Sequence, residues 1–351
     1  MKHAYIVVSD LHFGGEGCNH KEFCSFLEWV RSLGHHPVTV KCNDKKIIIE
    51  NPEKMILLGD ILELWNPKNG DRGDIVKDCM RPFTLLSNLD CDKIYVLGNH
   101  DDSLEGLEGK VECELLVNGT KFYIYNGHYP KKDKKSGVAQ GLKIGNRSYF
   151  FLHGHQFDKK KAIVKLITKF WDPLEWFQDI FHVKFTKNHW KENFVIFLCL
   201  LLGGKYFLWN GILQHSFLND LIWDLFTGFF ALSSVPGIVA TTQGTIYNSM
   251  KPLNKTAEQV IENKYYQKNK EKIDADVVIF GHTHFASSYE LKLKSRNKLF
   301  LNSGCWVGAD KVINGKKCHA NTFIYLDETG AYLLKWRKAG KIECIEAFEC
   351  T

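Results

Sequence analysis

Residues 5–12, YIVVSDLH, decide the fold, because four apolar residues are followed at once by a serine, an aspartate and a histidine. The run 5–8 is short and rich in β-branched residues, which is typical of a buried strand. Asp10 and His12 stand where that strand ends. In layered α/β folds ligands gather beyond the carboxyl ends of strands, so these two side chains are candidates for a site.

The same arrangement, a short apolar strand that ends in a polar cluster, recurs further along the chain. The other clusters are Gly59-Asp60, Gly98-Asn99-His100-Asp101, His153-Gly154-His155 and Gly281-His282-Thr283-His284. Each follows an expected strand, at 55–58, 94–97, 149–152 and 277–280. Helical periodicity at 21–33 and 75–89 fills the intervals between the first strands. Short strands alternating with helices predict an α/β layered fold.

The chemistry of the five clusters points to a metal site. Carboxylate, imidazole and amide oxygen ligands together suit a divalent metal such as manganese, iron or zinc. A glycine beside each ligand lets the backbone turn sharply and approach the site closely. Taken singly, each cluster has an ordinary alternative, such as a turn, a helix cap or a structural histidine. All five in this order indicate one metal centre.

This ordered set resembles the motifs of the calcineurin-like metallophosphoesterase superfamily, over residues 10–284. Within the superfamily the chain is most similar to UDP-2,3-diacylglucosamine hydrolases and their relatives. The segments that carry this likeness are SDLHFG at 9–14, GDILELW at 59–65, HGHQFD at 153–158 and NSGCW at 302–306. The resemblance implies an α/β fold, a four-layer sandwich of two mixed sheets flanked by helices, to which this chain adds a helical apolar insertion.

The resemblance also implies a role for each site residue and a centre of two divalent ions. Manganese is the first expectation, with iron, zinc or magnesium as alternatives. One ion would be held by Asp10, His12, Asp60 and His284. The other would be held by Asp60, which bridges the two, and by Asn99, His153 and His282. His100 would stabilise charge on the phosphate or protonate the leaving oxygen, and Asp101 would orient His100. Such a pair of ions binds both oxygens of an in-line displacement, with a metal-bound hydroxide as the attacking group.

Two positions depart from the pattern of the hydrolases, which usually have His-Gly-Asp where this chain has His153-Gly154-His155. His155 could therefore contact substrate, support a ligand, or replace His153 as the ligand, and we favour His153. Cys305 stands where the hydrolases commonly have aspartate. The insertion is also longer than their small helical cap.

The bulk properties favour an anionic partner and an intracellular site. A net charge of +6 suits phosphorylated substrates, anionic lipid or nucleic acid without selecting among them. The 11 cysteines are irregularly spaced, which predicts no disulfide framework or zinc knuckle and favours a reducing compartment. The first ten residues lack the layout of a signal peptide, so we expect a cytoplasmic catalytic part. Nothing in the sequence indicates the oligomeric state.

Residues 159–272 break the strand-and-cluster pattern, which predicts three segments: a core from 1–158, an insertion at 159–272 and the rest of the core at 273–351. The insertion begins basic, turns aromatic and then holds two apolar runs, at 194–213 and 221–240. Runs of about twenty mostly apolar residues can cross a bilayer. Three alternatives stay open: a membrane-spanning hairpin with both ends inside, a subdomain in the membrane interface, and a soluble cap with a lipid groove.

We therefore expect hydrolysis of a phosphoester or pyrophosphate bond in a lipid-tailed compound, such as a nucleotide-diphospho-lipid, at the cytoplasmic face of a membrane. A soluble phosphodiesterase or nuclease is one alternative. The apolar insertion and the lack of a basic-aromatic stripe argue against it and against a nucleic-acid partner. A non-catalytic scaffold is the other alternative; lost ligands would be its signature, and every ligand type is present.

Overall fold

The structure is a computed structural model. It describes residues 3–65, 67–68, 72–101, 104, 113–117, 120–131, 139–157, 254–262, 273–293, 296–337 and 340–349. The chain divides into two compact units, Met1–Lys159 with Pro252–Thr351, and Lys160–Lys251. All described residues belong to the first unit, so the apolar runs 194–213 and 221–240 lie outside them. Within the described ranges, no helix combines the length and the apolar character needed to span a bilayer.

Strands are the commonest regular element in the described ranges. They are β1 (Tyr5–Val8), β2 (Val38–Cys42), β3 (Lys45–Ile49), β4 (Lys54–Leu58), β5 (Asp92–Val96), β6 (Cys113–Val117), β7 (Thr120–Tyr125), β8 (His128–Tyr129), β9 (Ala139–Gln140), β10 (Leu142–Ile144), β11 (Arg147–Leu152), β12 (Ile273–Asp274), β13 (Val277–Phe280), β14 (Ser287–Lys292), β15 (Asn297–Asn302), β16 (Lys311–Ile313), β17 (Lys316–Cys318), β18 (Thr322–Asp327), β19 (Gly330–Arg337) and β20 (Lys341–Glu349). The α-helices in these ranges are α1 (His20–Ser32), α2 (Arg72–Ser87) and α3 (Ala257–Ile261).

Two mixed sheets carry the site. The first has the order β20-β19-β18-β1-β4-β5-β7-β6, in which β1, β4 and β5 are parallel. The second has the order β10-β11-β13-β15-β14, in which β11, β13 and β15 are parallel. The carboxyl ends of neighbouring parallel strands meet at one edge of a sheet, and the five polar clusters follow β1, β4, β5, β11 and β13.

Three hydrophobic cores separate four layers. Side chains from both sheets, including Val7 and Ile279, form the core between them. The outer face of the first sheet packs against α1 and α2, and Phe26 is fully buried there. The outer face of the second sheet packs against α3 through residues such as Val278 and Val260. The predicted four-layer α/β sandwich is thus confirmed. Its central strands are apolar on both faces, so each sheet packs against the other sheet on one side and against helices on the other.

Helix α3 lies within the range 159–272 that the sequence analysis assigned to the insertion. Its start is fixed by a capping box, in which the Thr256 side chain accepts from the backbone of Gln259 and the Gln259 side chain accepts from the backbone of Thr256. Its buried residues Ala257, Val260 and Ile261 face the second sheet. Residues 263–272, the last part of that range, lie outside the described residues.

The described residues include one disulfide, although the cysteine spacing predicts no disulfide framework. Cys42 at the end of β2 is bonded to Cys344 in β20. The two cysteines are 302 residues apart in sequence, so their spacing carries no signal. They meet because β2 packs beside β20, the edge strand of the first sheet. Cysteine spacing therefore gives no support for a reducing compartment.

We expect Cys344→Ser to lower the free energy of unfolding by about 2–4 kcal/mol, since the bond closes a long loop in the unfolded chain. Chemical denaturation with and without a thiol reductant measures this. The matched control is Cys91→Ser, because Cys91 is a free, half-buried cysteine. A reductant that leaves the stability of the wild type unchanged would show that the bond does not form.

Candidate metal centre

The polar clusters converge into three groups of buried side chains, and within each group the potential ligand atoms lie within 4.8 Å of one another. The groups are Asp10 with His12 and His284, Asp60 with His153 and His282, and His12 with Glu63 and His100. The first two groups contain the ligands that the resemblance assigns to the two ions, with two exceptions. Asp60 belongs only to the second group, and Asn99 belongs to neither. The third contains Glu63, which is not among the residues predicted from the sequence.

Asp60 lies between the first two groups. Its Oδ2 atom is 3.1 Å from Nε2 of His153 and 3.8 Å from Nε2 of His12. Its Oδ1 atom accepts a hydrogen bond from the backbone N–H of His100 at 2.8 Å. Burial alone would raise the pKa of Asp60, but His153 and His100 hold it well below its usual range. Asp60 is therefore ionised and placed as a bridging carboxylate would be.

Asp10 ties the two histidines of the Gly-His-Thr-His loop to the end of β1. Its Oδ2 atom accepts from the backbone N–H of His282 at 2.9 Å, and its Oδ1 atom is 3.1 Å from Nε2 of His284. Nε2 of His284 is also 3.1 Å from Nε2 of His12. Oδ1 of Asp10 is buried and makes no well-aligned hydrogen bond to another described residue. A buried carboxylate oxygen facing two imidazole nitrogens is what a cation ligand set provides.

The outer nitrogens of two ligand histidines are already occupied. Nδ1 of His12 donates to Glu63 at 2.7 Å, and Nδ1 of His153 donates to the backbone carbonyl of Leu58 at 2.9 Å. Histidines that bind metals are usually held in this way, which leaves Nε2 for the ion. Together with the buried oxygen of Asp10, this arrangement fits a centre for two divalent ions.

The carboxylates favour positive charge at this place. Burial alone would lower the pKa of His12, but Glu63, Asp60 and Asp10 raise it to about 9. Burial acts in the same sense on His153, and Asp60 and Asp10 again raise its pKa to about 9. A field that holds a proton on a buried imidazole also attracts a metal cation, which would take the proton's place.

Five of the predicted ligands adopt left-handed backbone conformations that side chains other than glycine rarely take. The φ angles are 52° at Asp10, 49° at His12, 51° at Asp60, 69° at His282 and 56° at His284. Each such residue costs about 1–3 kcal/mol, and they are found together where a site requires them. These turns bring alternate side chains of a loop, such as Asp10 and His12, into the centre.

Glycines beside the ligands allow the loops to approach one another closely. A Cβ atom at Gly98 would overlap Oδ1 and the backbone nitrogen of Asp60, and one at Gly281 would overlap Oδ2 of Asp10 and the hydroxyl of Ser9. Asn99 follows Gly98 and is 3% exposed. Its burial beside Gly98 is compatible with a ligand, and its role as a ligand stays a prediction.

Glu63 holds two histidines with one carboxylate. Its Oε2 atom accepts from Nδ1 of His12 and its Oε1 atom from Nδ1 of His100, both at 2.7 Å. Burial would raise its pKa, but His100 and His12 hold it far below its usual range. Trp65 stacks on the His100 ring at 4.8 Å. The only sequence signal for Glu63 is its place as the one charged residue in the apolar run 61–65, three positions after Asp60.

The prediction that Asp101 orients His100 is wrong for the contacts described. The Asp101 carboxylate accepts from the backbone of Gly98 and Ile61 and from the Tyr95 hydroxyl. Burial, and then the charge of Asp60, raise the pKa of Asp101 to about 6. Adjacent residues on this turn point their side chains in different directions, so Asp101 braces the loop while Glu63 orients His100.

His155 lies beside the second group rather than in it. Its ring centroid is 5.5 Å from that of His153 and 6.4 Å from that of His282. His153, by contrast, is fully buried and its Nε2 atom faces Asp60. This geometry supports His153 as the ligand and leaves His155 at the edge of the centre.

The Asn-Ser-Gly-Cys-Trp segment braces the ligand loops from behind. The amide of Asn302 donates to the carbonyl of Gly281 and to the hydroxyl of Thr283, both at 2.9 Å. The backbone N–H of Trp306 donates to the carbonyl of Asp10 at 3.1 Å. Cys305, where the hydrolases commonly have aspartate, is buried and its thiol points to the carbonyl of His284 at 3.8 Å. The segment therefore positions loops and supplies no ligand through Cys305.

The chain was compared with protein families, curated sequences and solved structures. A model of the calcineurin-like phosphoesterase family matches residues 4–286. No curated protein sequence matches the chain. Three solved structures illustrate the structural similarity, each over nearly the whole of both chains. They are a predicted phosphoesterase from Streptococcus pneumoniae TIGR4 (12% identity, 98% of each chain, TM-score 0.32), a double mutant of Vps29 from Entamoeba histolytica (12%, 99% of each, 0.36) and a dimetal phosphatase from Danio rerio (10%, 99% of each, 0.40).

The family model covers every strand that carries a predicted ligand, from β1 to the Gly-His-Thr-His loop after β13. The buried groups of aspartate and histidine are those that a pair of divalent ions requires. A non-catalytic scaffold that had lost its ligands is therefore excluded as a description of this site. The chain belongs to the calcineurin-like phosphoesterase family and is a metal-dependent phosphoesterase.

Proposed function

We propose that this phosphoesterase hydrolyses a phosphoester or pyrophosphate bond in a lipid-linked substrate, such as a nucleotide-diphospho-lipid, as the sequence likeness to UDP-2,3-diacylglucosamine hydrolases suggests. The observation that carries the proposal is the place where the long apolar insertion joins the core. Both of its attachment points lie beside the group formed by Asp60, His153 and His282.

The first attachment point follows His153 directly. The chain runs from His153 through a single turn of 3₁₀-helix, His155–Phe157, before it leaves the described core. Gln156 fixes this turn, since its amide donates to the carbonyl of Gly127 at 2.9 Å and its oxygen accepts from the backbone N–H of Gly154. The departing segment is therefore anchored within a few residues of a ligand.

The second attachment point is bonded to the Gly-His-Thr-His loop. The hydroxyl of Thr283, between the ligands His282 and His284, donates to the carbonyl of Lys255 at 2.7 Å. Two residues on, the backbone N–H of Ala257 donates to the hydroxyl of Ser287. The described chain thus stops after residue 157 and resumes at residue 254, and on both sides it is bonded close to the ligand loops.

The sequence of the insertion favours a lipid. Its two apolar runs, 194–213 and 221–240, have few charged residues, namely Lys205 and Asp224. An apolar surface of this size must face protein, a ligand or a membrane. A substrate with acyl chains satisfies that requirement next to a hydrolytic site, whereas a soluble nucleotide does not. We accordingly propose that the enzyme works at a membrane surface.

The residues of the centre divide into ion-holding and substrate-facing groups. Asp10, His12 and His284 with Asp60 would hold one divalent ion, and Asp60 with Asn99, His153 and His282 the other. When bound, the ions supply Lewis-acid polarisation of the phosphoryl group and lower the pKa of water. Mixed imidazole and carboxylate ligands suit manganese, iron or zinc, and we propose manganese.

His100 is the group placed to act on the substrate itself. Glu63 occupies its Nδ1 atom and Trp65 covers one ring face, which leaves Nε2 directed inward, 4.0 Å from Oδ2 of Asp60. A ring fixed in this way can hydrogen-bond to a phosphoryl oxygen or give a proton to the leaving oxygen at Nε2. Because Glu63 holds Nδ1 of His100, only Nε2 is available to the phosphoryl or leaving oxygen.

We expect that replacing residues 194–240 by a short polar linker spares the metal content and abolishes the preference for lipid-tailed substrates. The reason is that the ligands belong to the core, while the apolar runs supply the acyl-chain contacts. Hydrolysis of bis(p-nitrophenyl) phosphate should continue, and the ratio of kcat/KM for a tailed nucleotide-diphospho-lipid over its tail-free headgroup should fall to about one. Metal analysis accompanies both measurements.

The wild-type chain provides the decisive comparison. If it cleaves the tailed and tail-free compounds with equal kcat/KM, the lipid proposal is wrong, and a soluble phosphodiesterase becomes the better description. Failure of the shortened chain to bind metal would show instead that the insertion is needed for folding. In that case point variants within 194–240, Leu to Asn, replace the deletion.

A further inference from the structure

A small basic hairpin stands at the same edge of the second sheet as the metal centre. It consists of β16 and β17, which belong to the segment after β15. β15 is parallel to its neighbour β13, so the segments after both strands leave the sheet at the same edge. His282 and His284 follow β13 directly. The hairpin therefore rises beside the mouth of the site.

Contacts at its base hold the hairpin in place. The thiol of Cys318 donates to the carbonyl of His284 at 3.2 Å. The backbone N–H of Gly308 donates to the carbonyl of Gly17, in the loop that follows His12. At the tip, Asn314 and Gly315 both have positive φ angles, 50° and 75°, which is the conformation of a tight two-residue turn. The hairpin is thus a defined projection fixed to two ligand loops.

The side chains of the hairpin are basic and partly apolar. Lys311, Lys316 and Lys317 are exposed, and Val312, paired across the strands with Lys317, is 72% exposed. The carboxylate at the base, Asp310, pairs with Lys335 and accepts from the backbone N–H of Ala320. Among the residues that the structure describes, no ion pair engages the three lysines of the hairpin. The hairpin thus presents three positive charges and one exposed apolar side chain together to its surroundings.

We infer that the β16–β17 hairpin binds an anionic phospholipid surface and holds the mouth of the metal centre against it. Lysines reach the phosphates of lipid headgroups, and a valine between them enters the interface, as in other basic amphipathic membrane contacts. The inference rests on the proposed lipid-linked substrate, since such a substrate is presented to the enzyme in a bilayer. The hairpin provides this contact independently of residues 194–240.

The test uses the full chain and vesicles without substrate. Binding to vesicles of phosphatidylcholine alone is compared with binding to vesicles that also contain phosphatidylglycerol, at low and high salt. In the triple variant Lys311→Gln, Lys316→Gln and Lys317→Gln, the gain in binding that the anionic lipid produces should fall at least about tenfold. Each lysine near an anionic surface contributes about fivefold to partitioning, and salt screens that contribution.

The β2–β3 hairpin offers a matched control. It also has a tight turn, three lysines (Lys41, Lys45 and Lys46) and an exposed Ile48. Lys45, however, pairs with Glu349 at 2.5 Å, and the hairpin packs on the edge strand β20. Changing these three lysines to glutamine removes the same charge. This control variant should retain the gain in binding on anionic vesicles.

The possible results distinguish failure of the membrane contact from failure of the proposed substrate. An equal gain on anionic vesicles for the wild type and the β16–β17 variant overturns the inference. So does a raised KM of that variant for bis(p-nitrophenyl) phosphate with unchanged vesicle binding, since the lysines would then serve the substrate. A wild type that binds anionic vesicles through the hairpin but shows no preference for tailed substrates contradicts the proposed substrate and leaves the hairpin's membrane contact standing.

Discussion

Asp60→Ala is expected to lose both metal ions and to reduce hydrolysis of bis(p-nitrophenyl) phosphate to the level of the metal-free protein. One oxygen of Asp60 lies 3.1 Å from His153 and 3.8 Å from His12, so its carboxylate belongs to both ligand groups. Removing it leaves each group one anionic ligand short while the histidines stay in place. Metal content by atomic spectroscopy and turnover are measured on the same preparation.

Two comparisons make the Asp60 result specific. Asp60→Asn keeps the shape and the hydrogen bond to the backbone of His100 but removes the charge, and it should also lose metal. Thermal unfolding supplies a readout independent of turnover, because an ion that binds only the folded chain raises its Tm. Manganese should raise the Tm of the wild type and leave both variants unchanged. Asp44→Ala, in an exposed turn, serves as the control that keeps metal and activity. Full metal content in Asp60→Ala would refute the bridging role.

His100→Ala is expected to keep both ions and to lose about 10²–10⁴-fold in kcat, the range of general acid–base assistance. The ring makes its contacts to Glu63 and Trp65 and presents Nε2 inward, without belonging to either of the two ligand groups that contain Asp10 and Asp60. A leaving group of low pKa needs no proton from the enzyme. The loss should therefore be smaller for p-nitrophenyl esters than for alkyl esters.

Glu63→Gln distinguishes orientation from metal binding. Its carboxylate holds both His12 and His100, so the variant should weaken metal affinity through the first and lower kcat through the second. Orienting groups around metal ligands typically contribute about 10–100-fold to affinity or activity. Loss of ions in His100→Ala on the scale of Asp60→Ala would contradict the division into ion-holding and substrate-facing residues.

The ligands could be predicted from the sequence because each follows a short apolar strand. The strands expected at 5–8 and 277–280 coincide with β1 and β13, and those at 55–58 and 149–152 lie within β4 and β11. If these strands are parallel, the polar residues that follow them lie at the same edge of each sheet. Residues from the clusters do lie together in the structure. The helix predicted over 21–33 is shifted by only one residue from α1. The local sequence pattern therefore predicts both the strands and the place where the ligands meet.

Features that depend on contacts between distant residues could not be predicted in this way. Glu63 is a single glutamate in an apolar run, and its two histidine partners are 51 and 37 residues away. The Cys42–Cys344 bond depends on the packing of β2 beside β20. The left-handed conformations of Asp10 and Asp60 carry no signal either, because the sequence marks such positions only where glycine occupies them. The partners of Asp101 include Ile61, which is 40 residues away in sequence, and the sequence around Asp101 gives no sign of that contact.

A titration of metal-stripped protein with manganese tests the central claim most directly, with bound ions counted by atomic spectroscopy and hydrolysis of bis(p-nitrophenyl) phosphate followed in parallel. The structure predicts that two ions bind to each chain, that hydrolysis appears as the second site fills, and that a chelator reverses both. Hydrolysis that persists in the chelated protein, or saturation with fewer than two ions in the fully active protein, would contradict a dinuclear phosphoesterase centre.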